Sequence, residues 1–204
     1  MRDENSKYEL GFSAGALLSD HFQAVISSGV DLMELSQGSA KVDFRLLPVN
    51  SEKSQKRYLS EVMKRLKGLP QPVLELYLFA DSNGKRVIEF YAAIRNYAIL
   101  SEFMIEKVRD KWLNMDYELS THDFKTFLLH KLSEADDLDR VSELTIDKLT
   151  QVALKMLKEL GMFNGKNVAR VDVLTQILRA IVNAGDNWFL DAMLLTDEEK
   201  QDYS

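Results

Sequence analysis

Apolar residues recur at intervals of three and four along nearly the whole chain, and stretches of strict alternation are short. This is the period of α-helices that bury one face, whereas half-buried strands have a period of two. The pattern therefore predicts an all-α protein, folded as a helical bundle. The chain has no internal repeat and no low-complexity linker.

Capping residues, glycines and prolines divide this pattern into separate helices. Serine, threonine, aspartate and asparagine favour helix starts, glycine favours helix ends, and proline disfavours helix at the residue before it. On these signals we predict helices over about residues 13–29, 32–38, 52–67, 73–80, 86–114, 120–132, 145–160, 172–184 and 188–195.

The longest predicted helix, residues 86–114, would span on the order of 40 Å at about 1.5 Å per residue. Its apolar residues cover much of its circumference, which is typical of a helix surrounded by others. We predict that it is the central strut of the bundle. We also predict a division near Met115 into an N-terminal helical domain (1–115) and a C-terminal domain (116–204).

The composition is that of an ordinary globular chain, with 204 residues of which 46% are hydrophobic and 28% charged. It has no cysteine, which excludes thiol nucleophiles, iron–sulfur clusters, zinc ribbons and disulfide frameworks. The first seven residues lack the uncharged run of a signal peptide, and no run of about 18 apolar residues passes without a charge. We therefore expect a cytoplasmic protein that does not enter a membrane.

Acidic residues are concentrated at the end of the chain. Residues 186–204 carry six acids and one lysine, a net charge of −5 out of the total of −6. Binding of a polyanion responds to local fields as well as to total charge, so the overall acidity does not exclude it. Such a tail can occupy a basic face of its own chain or dock on another basic subunit, and the sequence leaves both open.

Residue types that carry catalysis or bind metals form no recognisable motif. His21, His122 and His130 lack the spacing of a metal or nucleophile site. Gly11 and Gly15 lack the lysine or the further glycine of a phosphate-binding loop. We therefore expect no enzymatic activity, no cofactor and no metal site.

The predicted helix over residues 52–67 has an apolar face and a basic face, with six basic residues against one acid between residues 53 and 67. Long basic side chains one turn apart can reach successive phosphates, which gives sequence-independent and salt-sensitive affinity. A solvated amphipathic helix is the alternative that this composition leaves open. The candidate DNA-binding residues here are Lys53, Lys56, Arg57, Lys64, Arg65 and Lys67.

A second basic face lies opposite the apolar face of the predicted helix 145–160. Residues 162–173 follow it and are compatible with a small β-hairpin, so the order is helix, helix, wing, as in a winged helix-turn-helix. Glutamine can read a base edge while lysine neutralises phosphate. The alternative is a core helix with lysines on its solvent side. The candidate DNA-binding residues are Lys148, Gln151, Lys155 and Lys158, with Lys166 and Arg170 in the wing.

Four stretches spread over most of the chain follow a recognisable order and spacing. They are Phe12-Ser13-Ala14-Gly15-Ala16-Leu17-Leu18; Lys56-Arg57 with Arg65-Leu66; Phe90-Tyr91-Ala92-Ala93-Ile94 through Tyr97, Leu100, Glu102-Phe103 and Glu106; and Leu119-Ser120, Asp123-Phe124 and Phe127 through Thr145, Lys148-Leu149, Val152 and Met156-Leu157 to Glu159-Leu160-Gly161. In these stretches the chain resembles BrxA, the small component of bacteriophage-exclusion (BREX) defence systems of bacteria.

The resemblance implies an all-helical protein, similar in part to the helical bundle of the antitermination factor NusB. It implies binding to double-stranded DNA, action beside a methyltransferase, an ATPase and a phosphatase-like partner, and no enzymatic activity. We therefore predict a non-catalytic DNA-binding accessory protein of a phage-defence system. The alternative is an adaptor whose basic faces dock acidic surfaces of other defence components without binding DNA.

Overall fold

The computed structural model describes residues 7–203, which form an all-α structure, and this confirms the predicted fold class. The helices are α1 (Ser19–Ile26), α2 (Leu32–Gln37), α3 (Glu52–Leu66), α4 (Gln71–Phe79), α5 (Ser82–Asn96), α6 (Ala98–Phe103), α7 (Arg109–Leu113), α8 (Thr121–Glu134), α9 (Glu143–Leu160), α10 (Thr175–Asn183), α11 (Trp188–Ala192) and α12 (Asp197–Lys200). Short 3₁₀ turns lie at Gly11–Ala14, Phe44–Leu46, Leu138–Arg140 and Gln201–Tyr203, and a π-helical turn at Met104–Val108 joins α6 to α7.

Helix α5 is the buried centre of the bundle. Every residue from 87 to 94 is buried, so the helix is covered around its whole circumference. Helices α1, α3, α4, α6 and α9 pack against it. This central position is the one predicted from its apolar pattern. No helix within residues 7–203 is nevertheless both long and apolar enough to cross a lipid bilayer.

The predicted helix over residues 86–114 is interrupted at Tyr97, so the prediction of one continuous helix is wrong there. Tyr97 has an extended backbone, with φ −128° and ψ 92°. Its hydroxyl donates to the buried carboxylate of Glu61 at 2.8 Å, and its ring packs edge-on against Phe12 with the centroids 5.3 Å apart. These contacts with distant parts of the chain outweigh the local helical pattern.

The first helix begins at Ser19 and not directly after Ser13, as the capping signal predicts. The four residues Gly11–Ala14 form a single 3₁₀ turn, and Leu18 has a left-handed backbone with φ 63°. A left-handed residue does not continue a right-handed helix, so Leu18 separates this turn from α1. A Cβ on Gly15 would lie 2.4 Å from the Leu18 side chain, so only glycine fits here without displacing that side chain.

Helices α8 and α9 pack against each other, and both begin at a serine cap. Ser120 and Asp123 form a reciprocal capping box at the start of α8, as predicted for a serine cap followed by an early acid. The cap of α9 is Ser142 rather than Thr145, so this helix begins earlier than predicted. It ends at Gly161, whose positive φ of 89° glycine adopts without strain.

Residues 162–169 form a tight turn with little strand character. Phe163 and Val168 make one antiparallel bridge, and a second bridge joins the turn to Glu118. The side chain of Asn164 accepts hydrogen bonds from two backbone N–H groups inside the turn, at 2.9 and 2.8 Å. In the described part of the chain the expected hairpin is thus reduced to isolated bridges. The winged helix-turn-helix and the likeness to NusB stay predictions.

The acidic C-terminal segment is folded onto the rest of the protein. Its carboxylates pair with arginines of α5, of α7 and of the segment after the 162–169 turn. None of these pairs involves a side chain of α3. These ion pairs therefore do not place the segment on the basic face of that helix. The pairs are Asp186 with Arg95, Asp191 and Asp197 with Arg109, and Glu199 with Arg170.

One hydrophobic core runs through both predicted domains. Its buried residues extend from Tyr8 to Leu195 and include members of α5, α8 and α9. The division near Met115 stays a prediction.

Candidate nucleic-acid interface

The basic face of α3 lies on the protein surface. Lys53, Lys56, Arg57 and Lys67 are exposed. Lys56 pairs with Glu52 one turn away, but both side chains are more than half exposed, so the pair is weak and easily exchanged for another anion. Lys53 and Lys67 have no ion-pair partner among residues 7–203. These lysines are therefore available to an external anion.

Arg65 does not belong to this face, and its prediction as a DNA contact is wrong. Its side chain is fully buried. Its Nε donates to Glu61 at 2.6 Å, and its terminal nitrogens donate to the carbonyls of Gly15 and Ala16 at 2.9 and 2.5 Å. A buried guanidinium with a carboxylate and two carbonyls as partners has its charge compensated and its donors used. Arg65 thus holds the segment before α1 against α3.

Lys64 lies at the edge of the basic face and already has partners. Its ammonium pairs with Glu9 and lies 4.2 Å from the centroid of the Tyr97 ring. Only 26% of its side chain is exposed. A phosphate would have to compete with both contacts, which makes Lys64 the least accessible of the surface lysines predicted on α3.

A cleft of about 460 Å³ lies between α3 and α9, and we call it the α3–α9 cleft. Its lining comes mainly from residues 13–21, from Tyr58 of α3 and from α9. Two hydrogen bonds join these parts. Arg57 donates from Nη2 to the carbonyl of Ser13 at 3.1 Å, and the backbone N–H of Leu17 donates to Glu159 at 2.8 Å. The segment before α1 is therefore attached to both helices.

The basic face of α9 borders this cleft. Lys148 and Lys155 line the cleft, whereas Gln151 lines a neighbouring groove of about 370 Å³ between α8 and α9. Lys158, one turn after Lys155 on α9, is exposed. Lys155 lies 3.5 Å from Glu159, but Lys148 has no ion-pair partner in the described chain. The fold thus brings lysines of α9 to a cleft that α3 borders on its other side.

The two candidates of the predicted wing differ in their availability. Lys166 is exposed in the 162–169 turn and has no ion-pair partner within residues 7–203. Arg170 pairs with Glu199 at 2.5 Å. Arg170 would have to leave this pair before it contacted a phosphate.

Most of the chain matches one known protein family. A sequence model of BrxA matches residues 6–185. The chain belongs to the BrxA family. The resemblance inferred from the four stretches is therefore confirmed. A protein of Bacillus cereus (strain H3081.97) named BREX protein BrxA is 24% identical over 153 residues, which are 73% of this chain and 76% of that protein.

The fold is also found in a solved structure. The crystal structure of an uncharacterized protein from Magnetospirillum magneticum superposes with a TM-score of 0.71 at 14% sequence identity. The superposition covers 93% of this chain and 100% of that one. At this identity the likeness concerns the fold alone.

In this BrxA-family chain, parts of three of the stretches that carry the resemblance meet at the α3–α9 cleft. The first stretch, residues 12–18, supplies much of the lining. Arg57 and Arg65 of the second stretch bind its backbone carbonyls. Glu159 of the last stretch accepts the N–H of Leu17. The shared order of these stretches therefore corresponds to one place in the fold.

Sequence reasoning missed two aromatic rings of the cleft. Tyr58 and His21 both line it, and their ring centroids are 4.7 Å apart. Burial lowers the pKa of His21, although the nearby Asp20 opposes this, so the ring is neutral near pH 7. No local motif links these residues, because only the packing of α1 against α3 brings them together.

A buried carboxyl lies next to the cleft. Glu89 of α5 is buried and accepts hydrogen bonds from the hydroxyls of Ser19 at 2.5 Å and Tyr77 at 2.7 Å. Burial raises its pKa to about 7, and the two hydroxyls oppose this rise. Within the part of the chain that the structure describes, no three acidic or histidine side chains are grouped as metal ligands.

Proposed function

We propose that this chain is a non-catalytic, double-stranded-DNA-binding accessory component of a BREX phage-defence system, acting beside methyltransferase, ATPase and phosphatase-like components. Membership of the BrxA family supports the defence role, since the Bacillus cereus relative is named a BREX protein. The DNA-binding role rests on one observation, which is that exposed lysines without ion-pair partners among residues 7–203 lie on α3, at its C-cap and on α9. They are Lys53, Lys67, Lys148 and Lys158.

The electrostatics of the chain favour this role despite its net negative charge. Lysines without internal partners release counterions from DNA when they approach phosphates, which is the main source of sequence-independent affinity. Four of the six acids of the C-terminal segment pair with Arg95, Arg109 and Arg170, so much of the charge of the segment is compensated where it lies. The field near α3 and α9 therefore depends on their own lysines more than on the total charge.

The alternative role, a protein-interaction adaptor, is supported by exposed apolar side chains. Phe79, at the end of α4, is 87% exposed, and Leu144, in the first turn of α9, is 83% exposed. Large apolar side chains left in water are enriched at protein contacts. The two roles differ in whether the purified chain binds DNA by itself.

Fluorescence anisotropy with a labelled 30-base-pair duplex, at salt concentrations from 50 to 300 mM, distinguishes them. We compare the unaltered chain with Lys53→Gln/Lys67→Gln and with Arg86→Gln/Arg179→Gln, which removes two exposed charges from α5 and α10 instead. We expect the α3 pair to weaken binding to all duplexes alike and to reduce the slope of log affinity against log salt by about 0.9 per lost contact. The control pair leaves both unchanged.

Absence of binding by the unaltered chain at the lowest salt would contradict the DNA-binding role. The adaptor role would then be tested by pull-down with the purified methyltransferase, ATPase and phosphatase-like components. Equal losses in the two double variants would mean that the affinity reflects overall charge and not a surface on α3.

A further inference from the structure

The α3–α9 cleft has a larger volume, and a lining of more residue types, than contact with a duplex backbone requires. Lysines on an exposed helix face reach phosphates without any concavity, whereas this cleft encloses about 460 Å³. Sites for small organic ligands have volumes of about 300 to 1,000 Å³ and combine apolar walls with a few polar groups. The cleft therefore has the dimensions of a site for one small molecule or one monomer unit of a polymer.

One part of the cleft lining suits a phosphate. Lys148 and Lys155 lie two turns apart on α9 and both line the cleft. Ser19 and Asp20 also line it, and they form the first turn of α1, a helix that no side chain caps, because its N-cap residue is Leu18. The N–H groups of His21 and Phe22 donate to the carbonyl of Leu18, and the positive end of the helix dipole adds to the potential that the two lysines create.

Another part suits a flat ring. The Tyr58 and His21 rings lie 4.7 Å apart and are inclined by 52°. Neutral aromatic rings stack on nucleobases in a way that tolerates every base, because each base has a π-face. His21 Nε2 is buried and has no hydrogen-bond partner among the described residues.

The acids of the cleft limit how much negative charge it can accept. Asp20 and Glu159 line it together with the two lysines. Glu159 is already engaged by the N–H of Leu17 and by Lys155, whereas Asp20 is exposed. Two cations facing two acids leave little excess positive charge. One phosphate group fits this balance better than a triphosphate.

We propose that the α3–α9 cleft binds a single nucleotide unit, with its base against Tyr58 and His21 and its one phosphate at Lys148 and Lys155. The nucleotide is either a free nucleoside monophosphate or an unpaired nucleotide within a DNA strand. Binding of the free form does not depend on the proposed binding of duplex DNA. Binding of the strand-borne form rests on the proposed DNA-binding function and extends it.

Isothermal titration calorimetry of the full chain with each of the four deoxynucleoside 5′-monophosphates tests the free form, with inorganic phosphate and the unphosphorylated nucleosides as references. Anisotropy with a blunt 30-base-pair duplex and with the same duplex carrying one unpaired nucleotide tests the strand-borne form. Tighter binding of the monophosphates than of phosphate and the nucleosides identifies the free form. Tighter binding of the duplex with an unpaired nucleotide than of the blunt duplex identifies the strand-borne form. If neither is preferred over its reference, the proposal is wrong.

Two pairs of variants assign the binding to the cleft. Tyr58→Leu removes the ring and Tyr58→Phe keeps it, while Lys148→Gln removes the charge and Lys148→Arg keeps it. We expect Tyr58→Leu and Lys148→Gln each to weaken nucleotide binding on the order of tenfold, because base stacking and charge-assisted hydrogen bonds are lost. Tyr58→Phe and Lys148→Arg should stay within about threefold of the unaltered chain.

Blunt-duplex binding separates this proposal from the proposed function. Tyr58→Leu should leave blunt-duplex affinity unchanged, because that affinity is expected from the exposed lysines. Loss of nucleotide binding in both members of a pair, at an unchanged melting temperature, would contradict the assignment of base and phosphate to these side chains. Unchanged binding in Tyr58→Leu and Lys148→Gln would place the nucleotide elsewhere and also overturn it.

Discussion

The carboxylate of Glu159 on α9 accepts a hydrogen bond from the backbone N–H of Leu17 at 2.8 Å, across 142 residues of sequence. Leu17 is fully buried, so this bond fixes the segment before α1 to α9. On its other side the same segment is bound by Arg65 through the carbonyls of Gly15 and Ala16. One short segment thus lies between the two helices that carry the basic faces, and it positions the cleft between them.

Gly15→Ala is expected to destabilise the protein, because its Cβ would lie 2.4 Å from the Leu18 side chain. The nearest atoms all belong to the half-buried Leu18 side chain, so relief of the clash requires this side chain to move. We expect a loss of about 1 to 3 kcal/mol in the free energy of unfolding, measured by urea denaturation. Gly11→Ala is the control, since its Cβ would meet only ordinary contacts at 3.5 Å. Equal losses would contradict the role given to Gly15.

Arg65→Met is expected to cost about 3 to 5 kcal/mol, because it leaves the carboxylate of Glu61 buried without its cation and removes donors from two carbonyls. Lys64→Met, one residue earlier, breaks a partly exposed pair with Glu9 and should cost about 1 kcal/mol or less. Urea denaturation measures both changes. A loss below about 1 kcal/mol for Arg65→Met would mean that the buried pair is not required for stability.

The features that sequence predicts correctly are local ones. The helical period identifies the fold class, Ser120 with Asp123 marks the start of α8, and Gly161 marks the end of α9. The exposed face with Lys148 and Gln151 follows from the same period. Each of these depends on residues within one or two turns of each other, so the pattern of the chain is sufficient to find them.

The features that sequence misses depend on distant contacts. The break at Tyr97 is tied to Glu61, 36 residues away, and the burial of Arg65 is tied to Ala16, 49 residues away. A count of basic residues along α3 includes Arg65, although the segment before α1 packs over this side chain and buries it. The cleft itself requires α1, α3 and α9 to be placed together, which no spacing in the sequence reveals.

Gln151 distinguishes base reading from backbone binding. It is exposed beside the α8–α9 groove, and glutamine can bond the edge of an adenine. If a base is read, Gln151→Ala should change which sequences are selected from a pool of randomised duplexes, because a bidentate base contact is worth about 1 to 3 kcal/mol. Lys158→Gln is the control and should weaken all sequences alike. If the unaltered chain selects no sequence at all, α9 does not read bases.

Glu89 is expected to make stability depend on pH. Its pKa of about 7 in the folded protein lies above the ordinary value of 4.5, chiefly because the carboxyl is buried. The folded state therefore binds this proton more tightly than the unfolded state does. The resulting stabilisation is fully present below about pH 4.5 and is lost as the pH rises through about 7. From the size of the shift we expect it to be on the order of 3 kcal/mol.

Glu89→Gln isolates this effect from the other carboxyls. Glutamine keeps an acceptor for the Tyr77 hydroxyl and a polar partner for Ser19 but does not titrate. Burial raises the pKa values of Asp123 and Asp186, but their hydrogen bonds and nearby cations together lower them below the ordinary value. These groups therefore make stability fall towards acid in both proteins alike. Subtracting the free energy of unfolding of the variant from that of the unaltered chain, from pH 4.5 to 8, should therefore leave a difference that declines with rising pH. A constant difference would show that the pKa of Glu89 is the same in the folded and unfolded states, which would contradict this prediction.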